Sequence, residues 1–360
     1  LLKDNTFGRL LKWRERLSFF IGKWLFDKPI AKLEAARSIQ SILVVRGDGK
    51  IGDSVVSSFL YRELKSNNQH LNIGVLCTPN SRHLFDADPH IDKVHCYPKR
   101  AKLWQVRSLL SELPNYDAVV FLAEVFKPRD FLMLRCLNAK ANVGVADNVA
   151  LINCNIASKV AGQHSQQYFV EAAKSLGFAV NDFSYHFNLP DVIDEQVLSF
   201  LGDKQDRFIA INAFGNTSKR SFSEARLREV LLALKARFSY PIVALASPVT
   251  QQLVSSISAS IDGVFCLDGT ESIEQNAALI KHSKLFISVD TATVHLAHCF
   301  KTPMVAIYRQ DPANFAMWSP NYQPTKAIFT RAAKTRSEEV SIEEFDLDEL
   351  LDAAAKLLHN

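Results

Sequence analysis

Short apolar runs alternate with amphipathic helical stretches through most of this chain, and the alternation happens twice. In the first pass the runs are 41–45, 71–77, 93–97, 116–122 and 141–145, with helical periodicity at 54–66, 101–113, 127–138 and 166–176. Residues 181–194 read as an irregular crossing that contains Pro190. The second pass has runs at 207–213, 241–246, 263–267, 284–289 and 303–308, and helices at 223–238, 249–260, 272–282 and 293–300. Apolar runs separated by helices imply parallel sheets covered on both faces. The expected fold class is therefore α/β, with two Rossmann-like, doubly wound domains facing across a cleft. A basic amphipathic arm (1–40) precedes the first domain (41–190), and a C-terminal helix (341–360) follows the second (191–340). That helix is expected over 342–358, opened by a capping box of Ser341 and Glu344.

A chain of 360 residues, 48% hydrophobic and 22% charged, can build two such cores. No apolar run approaches the roughly eighteen residues of a spanning helix. The six cysteines are scattered without a C-x-x-C pair, which reads as reduced thiols in a cytoplasmic protein rather than a disulfide framework or a zinc site. Residues 1–40 hold nine basic and four acidic side chains, a balance of +5 against +4 for the whole chain, so the remainder is nearly neutral. A near-neutral body argues against a nucleic-acid partner. Within the arm, Trp13, Leu17, Phe20, Ile21, Trp24 and Leu25 fall on one helical face flanked by Lys and Arg. Such a helix suits the surface of an anionic membrane; packing on the protein itself or on a second copy are the alternatives.

The first run ends in a glycine-studded turn, Arg46-Gly47-Asp48-Gly49-Lys50-Ile51-Gly52-Asp53, and a helical pattern begins at once. Gly47, Gly49 and Gly52 fit G-x-G-x-x-G, which raises a nicotinamide-binding alternative. That reading needs an acidic residue at the end of the second strand. The chain there reads Cys77-Thr78-Pro79-Asn80, leaving only Arg82 as a partner for an NADP phosphate, while Asp48 and Asp53 would repel a pyrophosphate. The other reading uses Asp53, in the first helical turn at the C-terminal edge of the sheet, as a general base; a plain helix cap is its structural alternative.

Together, R-x-x-x-x-G-D before a helix, the strand-end loop 212–222 (NAFGNTSKRSF), the turn 268–273 (DGTESI), the element 288–295 (SVDTATVH) and the run 301–308 (KTPMVAIY) resemble glycosyltransferase family 9, the lipopolysaccharide heptosyltransferases, in order and spacing. The resemblance covers about residues 41 to 355 and leaves out the arm. It implies the two-Rossmann GT-B architecture and an inverting transferase of heptose from ADP-heptose, or a related nucleotide sugar, to a lipid A-core acceptor. It implies no cofactor and no metal, and work at the cytoplasmic face of the inner membrane. By position it makes Asp53 the base and Lys219 a ligand of the donor diphosphate, with Asn216, Thr217, Arg220, Ser247, Asp290, Thr291, Ala292, Thr293 and His295 lining the donor site. Gly52, Lys50 and Arg82 fall on the acceptor side. His298 and Cys299 share a helix face with His295 and are assigned to packing. Two departures stand out: Ala292 replaces the family's glycine, and the acceptor loop carries the charges of Asp48 and Lys50. They lend some support to a rival reading, a GT-B-like binding protein whose site has decayed.

Overall fold

The computed structural model describes residues 3–31, 39–335 and 338–359. The backbone clusters into two compact units, Leu1–Phe183 and Ser184–Asn360. In the first, parallel strands β1 (Ser41–Arg46), β2 (Asn72–Cys77), β3 (Lys93–Cys96), β4 (Ala118–Val120), β5 (Ala141–Gly144) and β6 (Cys154–Asn155) lie in the order β3-β2-β1-β4-β5-β6. In the second, β7 (Ile209–Asn212), β8 (Ile242–Ala244), β9 (Val264–Phe265), β10 (Leu285–Val289), β11 (Met304–Tyr308) and β12 (Thr325–Phe329) lie in the order β12-β11-β10-β7-β8-β9. Counted within each unit, both follow the doubly wound order 3-2-1-4-5-6. The order in which strands are added to the parallel sheet therefore reverses between β1 and β4, and between β7 and β10. Ligands bind outside the carboxyl ends of the strands at such switch points.

Burial explains why these runs became strands. Ile42, Leu43, Val44, Ile287 and Val289 are almost wholly buried, as strands covered on both faces require. Five strands were expected in each half, and the one missed in each, β6 and β12, is an edge strand. β6 is only two residues long, and β12 opens on Thr325 and Lys326 and buries only Ile328 fully. The expected helix 54–66 runs as Ile51–Val56 and Ser58–Asn67, interrupted at Ser57. The irregular crossing expected at 181–194 gives way at Asp191 to a helix, Asp191–Leu201.

The C-terminal capping box did not form. Glu344 accepts from the Ser341 amide, but residues 342–345 are drawn against the end of β12 by the Thr330–Phe345 bridge and the Arg331–Glu344 ion pair. The helix starts at Leu347, capped by Asp346, whose carboxylate accepts from the amides of Asp348 and Glu349. Its Leu350, Ala354 and Leu357 then close the core of the second unit.

Within the arm, Lys3–Phe26 form a helix whose described side chains present two opposed faces. Phe19 meets Phe131 edge-on at 5.5 Å, and Phe19, Phe26 and Ile30 pack on the core beneath the helix Pro128–Leu137. Gly22 sits where a Cβ would lie 2.7 Å from the Pro128 Cα, so its lack of a side chain permits the close approach of the two helices. Asp27 fastens the end of the helix: it pairs with Lys23 at 2.7 Å and accepts from the amides of Ala150 and Leu151. The expected apolar face lies about half a turn away at 3.6 residues per turn. It stays exposed, with Trp13 at 62%, Phe20 at 61% and Trp24 at 83%. The helix packs on its own protein through residues other than those the sequence singled out. Among the described residues, no helix is long and apolar enough to cross a membrane.

Candidate active site

In the first unit the turn after β1 lies at the β1/β4 switch point. Gly49 adopts φ +64°, the left-handed region that glycine enters at little cost. A Cβ on Gly47 would lie 2.1 Å from the Tyr97 hydroxyl, so the glycine is a packing requirement. Lys50 occupies the N-cap of the helix Ile51–Val56, and its amide donates to Asp48. Its ammonium lies 3.7 Å from the Asp53 carboxylate. Burial, then the charge of Asp48, pushes the Asp53 carboxyl above its usual range, against the opposing pull of Arg46 and Lys50. A carboxylate with a raised pKa is a better proton acceptor near neutrality.

Beside this turn opens a cavity of about 290 Å³, lined by the end of β1, the turn itself and the segments that follow β3 and β4. Its cations are Arg46, Lys99, Lys127 and Arg129, against the carboxylates of Asp48 and Asp130. Arg46 is 7% exposed and stacks on Phe169 at 5.2 Å. Its Nη2 is 3.3 Å from Asp48, yet Nε and Nη2 make no hydrogen bond, so a buried guanidinium keeps donors in reserve. Lys99 donates to the Asp48 carbonyl at 2.7 Å, and Arg129 donates to the Lys99 carbonyl. Asp130 caps the helix Pro128–Leu137 by accepting from the Lys127 amide. The net positive lining suits an acidic ligand. None of Lys99, Lys127 and Arg129 stood out in sequence, though each follows an apolar run at a strand's carboxyl end. By contrast, Arg82 is exposed and bonded to Asp86 at 2.8 Å, and it does not line this cavity.

In the second unit the loop after β7 closes on itself. The Phe222 amide donates to the Ala213 carbonyl, and a Cβ on Gly215 would lie 2.5 Å from the Arg220 carbonyl. Asn216, Thr217 and Lys219 are exposed on this loop, and Arg220 turns inward to Asp290 at 3.4 Å. Asp290 also accepts from the Asn314 amide group, and burial raises its pKa against the lowering charge of Arg220. Thr291 caps the helix Ala292–Phe300 with an extended backbone. Ala292 is the first helical residue, and its φ is negative, so alanine in place of glycine carries no backbone strain.

Thr293 is buried: Asn212 donates to its hydroxyl at 3.0 Å, and the Ser288 hydroxyl lies 2.9 Å away. This network ties the ends of β7 and β10 to the start of the helix. Ser247 ends the β8 segment in a turn with Thr250. His295 is buried with its ring edge-on to Trp318 at 6.2 Å, while His298 stacks between Tyr185 and Tyr322. The Cys299 thiol donates to the His295 carbonyl, so both residues assigned to packing take part in packing. Asn314 and Trp318 belong to a helix, Pro312–Trp318, that the sequence reading passed over.

Two tandem doubly wound units, with polar loops gathered at the switch point of each, are the frame of a GT-B glycosyltransferase. The chain belongs to glycosyltransferase family 9 (heptosyltransferase), whose family model matches residues 105–344. Lipopolysaccharide heptosyltransferase 3 of Escherichia coli K12 is 23% identical over 315 residues, covering 79% of this chain and 90% of that one. The glycosyl transferase family 9 structure from Veillonella parvula superposes with a TM-score of 0.72 at 16% identity, over 91% of this chain and 99% of that one. The E. coli ADP-heptose lipopolysaccharide heptosyltransferase II gives 0.68 at 17% identity, over 89% and 98%. Family membership favours sugar transfer over the dinucleotide reading.

Proposed function

We propose that this glycosyltransferase moves a heptose from ADP-heptose to an acidic inner-core saccharide of lipopolysaccharide, with inversion and without a metal. The observation that carries the reading is the division of polar machinery. One unit holds a carboxylate of raised pKa beside a cationic cavity, and the other an exposed Lys219 on a loop whose Arg220 reaches the helix-capping segment at Asp290. The names of the relatives, ADP-heptose among them, support the donor assignment.

In this account Asp53 takes the proton of the acceptor hydroxyl as its oxygen attacks the anomeric carbon. The bond from that carbon to the diphosphate breaks on the opposite face, and ADP departs. A positioned base contributes typically 10²–10⁴-fold. Charge growing on the diphosphate is met by Lys219, Arg220 and the amides that open the helix Ala292–Phe300. Arg46, Lys99, Lys127 and Arg129 hold the acidic group of the acceptor, the task first given to Lys50 and Arg82. The exposed stripe of the arm rests on the cytoplasmic face of the inner membrane, where a lipid-borne acceptor is found. Neither departure from the family pattern favours a decayed site, since Asp48 is tied into the turn and Ala292 is helical.

The test is a thermal-shift comparison of ADP, ADP-heptose, UDP-sugars and NADP, because stabilisation follows ligand occupancy. ADP-heptose and ADP should stabilise the wild type, and Lys219→Ala should lose most of that shift. Stabilisation by UDP-sugars or NADP alone would refute the donor assignment.

A further inference from the structure

The helix Leu103–Ser111 carries a second apolar point that its own fold does not cover. Val106 and Leu110 are buried in the core shared with the helix Pro128–Leu137, while Leu103 and Trp104 are 40% and 68% exposed. The arm helix packs on the same core through Phe19 and Phe26. Both helices adjoin Pro128–Leu137, and each leaves large apolar side chains uncovered, the arm along a stripe and Leu103–Ser111 at its first two residues. Exposed cations accompany both in the chain. Arg14, Arg16 and Lys28 are exposed on the arm, and Arg100, Lys102 and Arg107 are exposed within four residues of Trp104 in the chain. The exposed acids of these stretches, Glu15 and Glu112, are fewer.

We propose that Leu103 and Trp104 form a second insertion point for an anionic bilayer, so that the membrane meets this whole helical layer of the first unit rather than the arm alone. The proposal rests on the membrane reading of the arm. A tryptophan with a basic rim suits the headgroup boundary, where each nearby cation adds roughly 1 kcal/mol of attraction. Its consequence concerns the acceptor. Lys99, which lines the cationic cavity, lies just before Lys102 and Leu103 in the chain. Anchoring at Trp104 therefore sets that cavity close to the lipid surface, where a lipid-linked acidic saccharide presents its sugars.

The experiment uses the full chain with vesicles of phosphatidylcholine alone or mixed with phosphatidylglycerol. A variant with Trp13, Trp24 and Trp318 changed to Phe leaves Trp104 as the only tryptophan. Its emission should shift to the blue and be quenched by brominated lipids in anionic vesicles only, and less at high salt. In flotation assays, Leu103→Ser with Trp104→Ser should weaken binding roughly tenfold, and Trp13→Ser with Trp24→Ser at least as much. If vesicles bind but Trp104 is unquenched and the Leu103/Trp104 variant floats like wild type, the second insertion point is refuted and the arm stands. If wild type binds neither vesicle, both readings fail. A solution dimer dissolved by Trp104→Ser would give the patch to a second copy and overturn the proposal. Should the triple tryptophan variant fail to fold, flotation of the surface variant decides alone.

Discussion

Replacing Thr293 by valine separates a structural role from a ligand role at the donor side. The two side chains have nearly the same shape, so the change removes a hydroxyl and little else. That hydroxyl accepts from Asn212 at 3.0 Å and meets the Ser288 hydroxyl at 2.9 Å. Asn212 retains a longer bond to the Phe214 carbonyl at 3.2 Å, and Ser288 retains the Val289 carbonyl at 2.9 Å. Two bonds of about 1 kcal/mol net are therefore lost, and neither partner is left wholly unpaired, so the expected cost is about 2 kcal/mol. For a unit of this size that lowers the melting temperature by roughly 4–8 °C. Calorimetry on wild type, Thr293→Val and Thr293→Ser measures it, with serine recovering most of the loss. Affinity for ADP, measured well below both melting points, should change less than threefold, or about 0.6 kcal/mol by the RT ln K relation. An unchanged melting temperature with ADP affinity lost at least tenfold would refute this account, because it would place the hydroxyl on the ligand.

Three further outcomes follow from the first unit. Asp48→Asn removes a charge that raises the Asp53 pKa, so the acid limb of the kcat/KM profile should move to lower pH; an unmoved limb would detach that limb from Asp53. Gly47→Ala should destabilise the chain, since the new Cβ meets the Tyr97 hydroxyl at 2.1 Å, and adding Tyr97→Phe should restore part of the loss in a melting assay. Lys127→Ala should raise the acceptor KM about tenfold with the donor KM unchanged; an equal rise in both would remove it from the acceptor cavity.

Much of this was legible in the sequence because a strand buried on both faces must be continuously apolar. The inner strands of each sheet, among them β1, β4, β7 and β10, announced themselves in that way. The edge strands β6 and β12, half exposed, carry no such signature. Gly47 illustrates the limit at the site. Its triplet with Gly49 and Gly52 fits a dinucleotide fingerprint, whereas at Gly47 the space is filled by Tyr97. The cationic cavity was invisible for a related reason: Arg46, Lys99, Lys127 and Arg129 come from three separate strand ends, and only the strand order brings them together. The arm was half legible, since a stripe of Trp and Phe declares an apolar face but not which face of the helix the protein itself occupies.

The central claim is that Asp53 is the base of a sugar transfer, and Asp53→Asn tests it most directly. Because burial and Asp48 raise its pKa, the folded state holds the Asp53 proton more tightly than the unfolded chain does. That contribution to stability is present below the ordinary carboxylate value of 3.8 and is lost as pH rises through the folded pKa. At neutral pH the asparagine variant should therefore be at least as stable as wild type, so a fall in rate cannot be blamed on unfolding. The decisive measurement is turnover of ADP-heptose with a lipopolysaccharide inner-core acceptor, alongside ADP-heptose affinity, for wild type and Asp53→Asn. The account predicts turnover reduced by at least about a hundredfold with donor affinity nearly intact; turnover equal to wild type would contradict it.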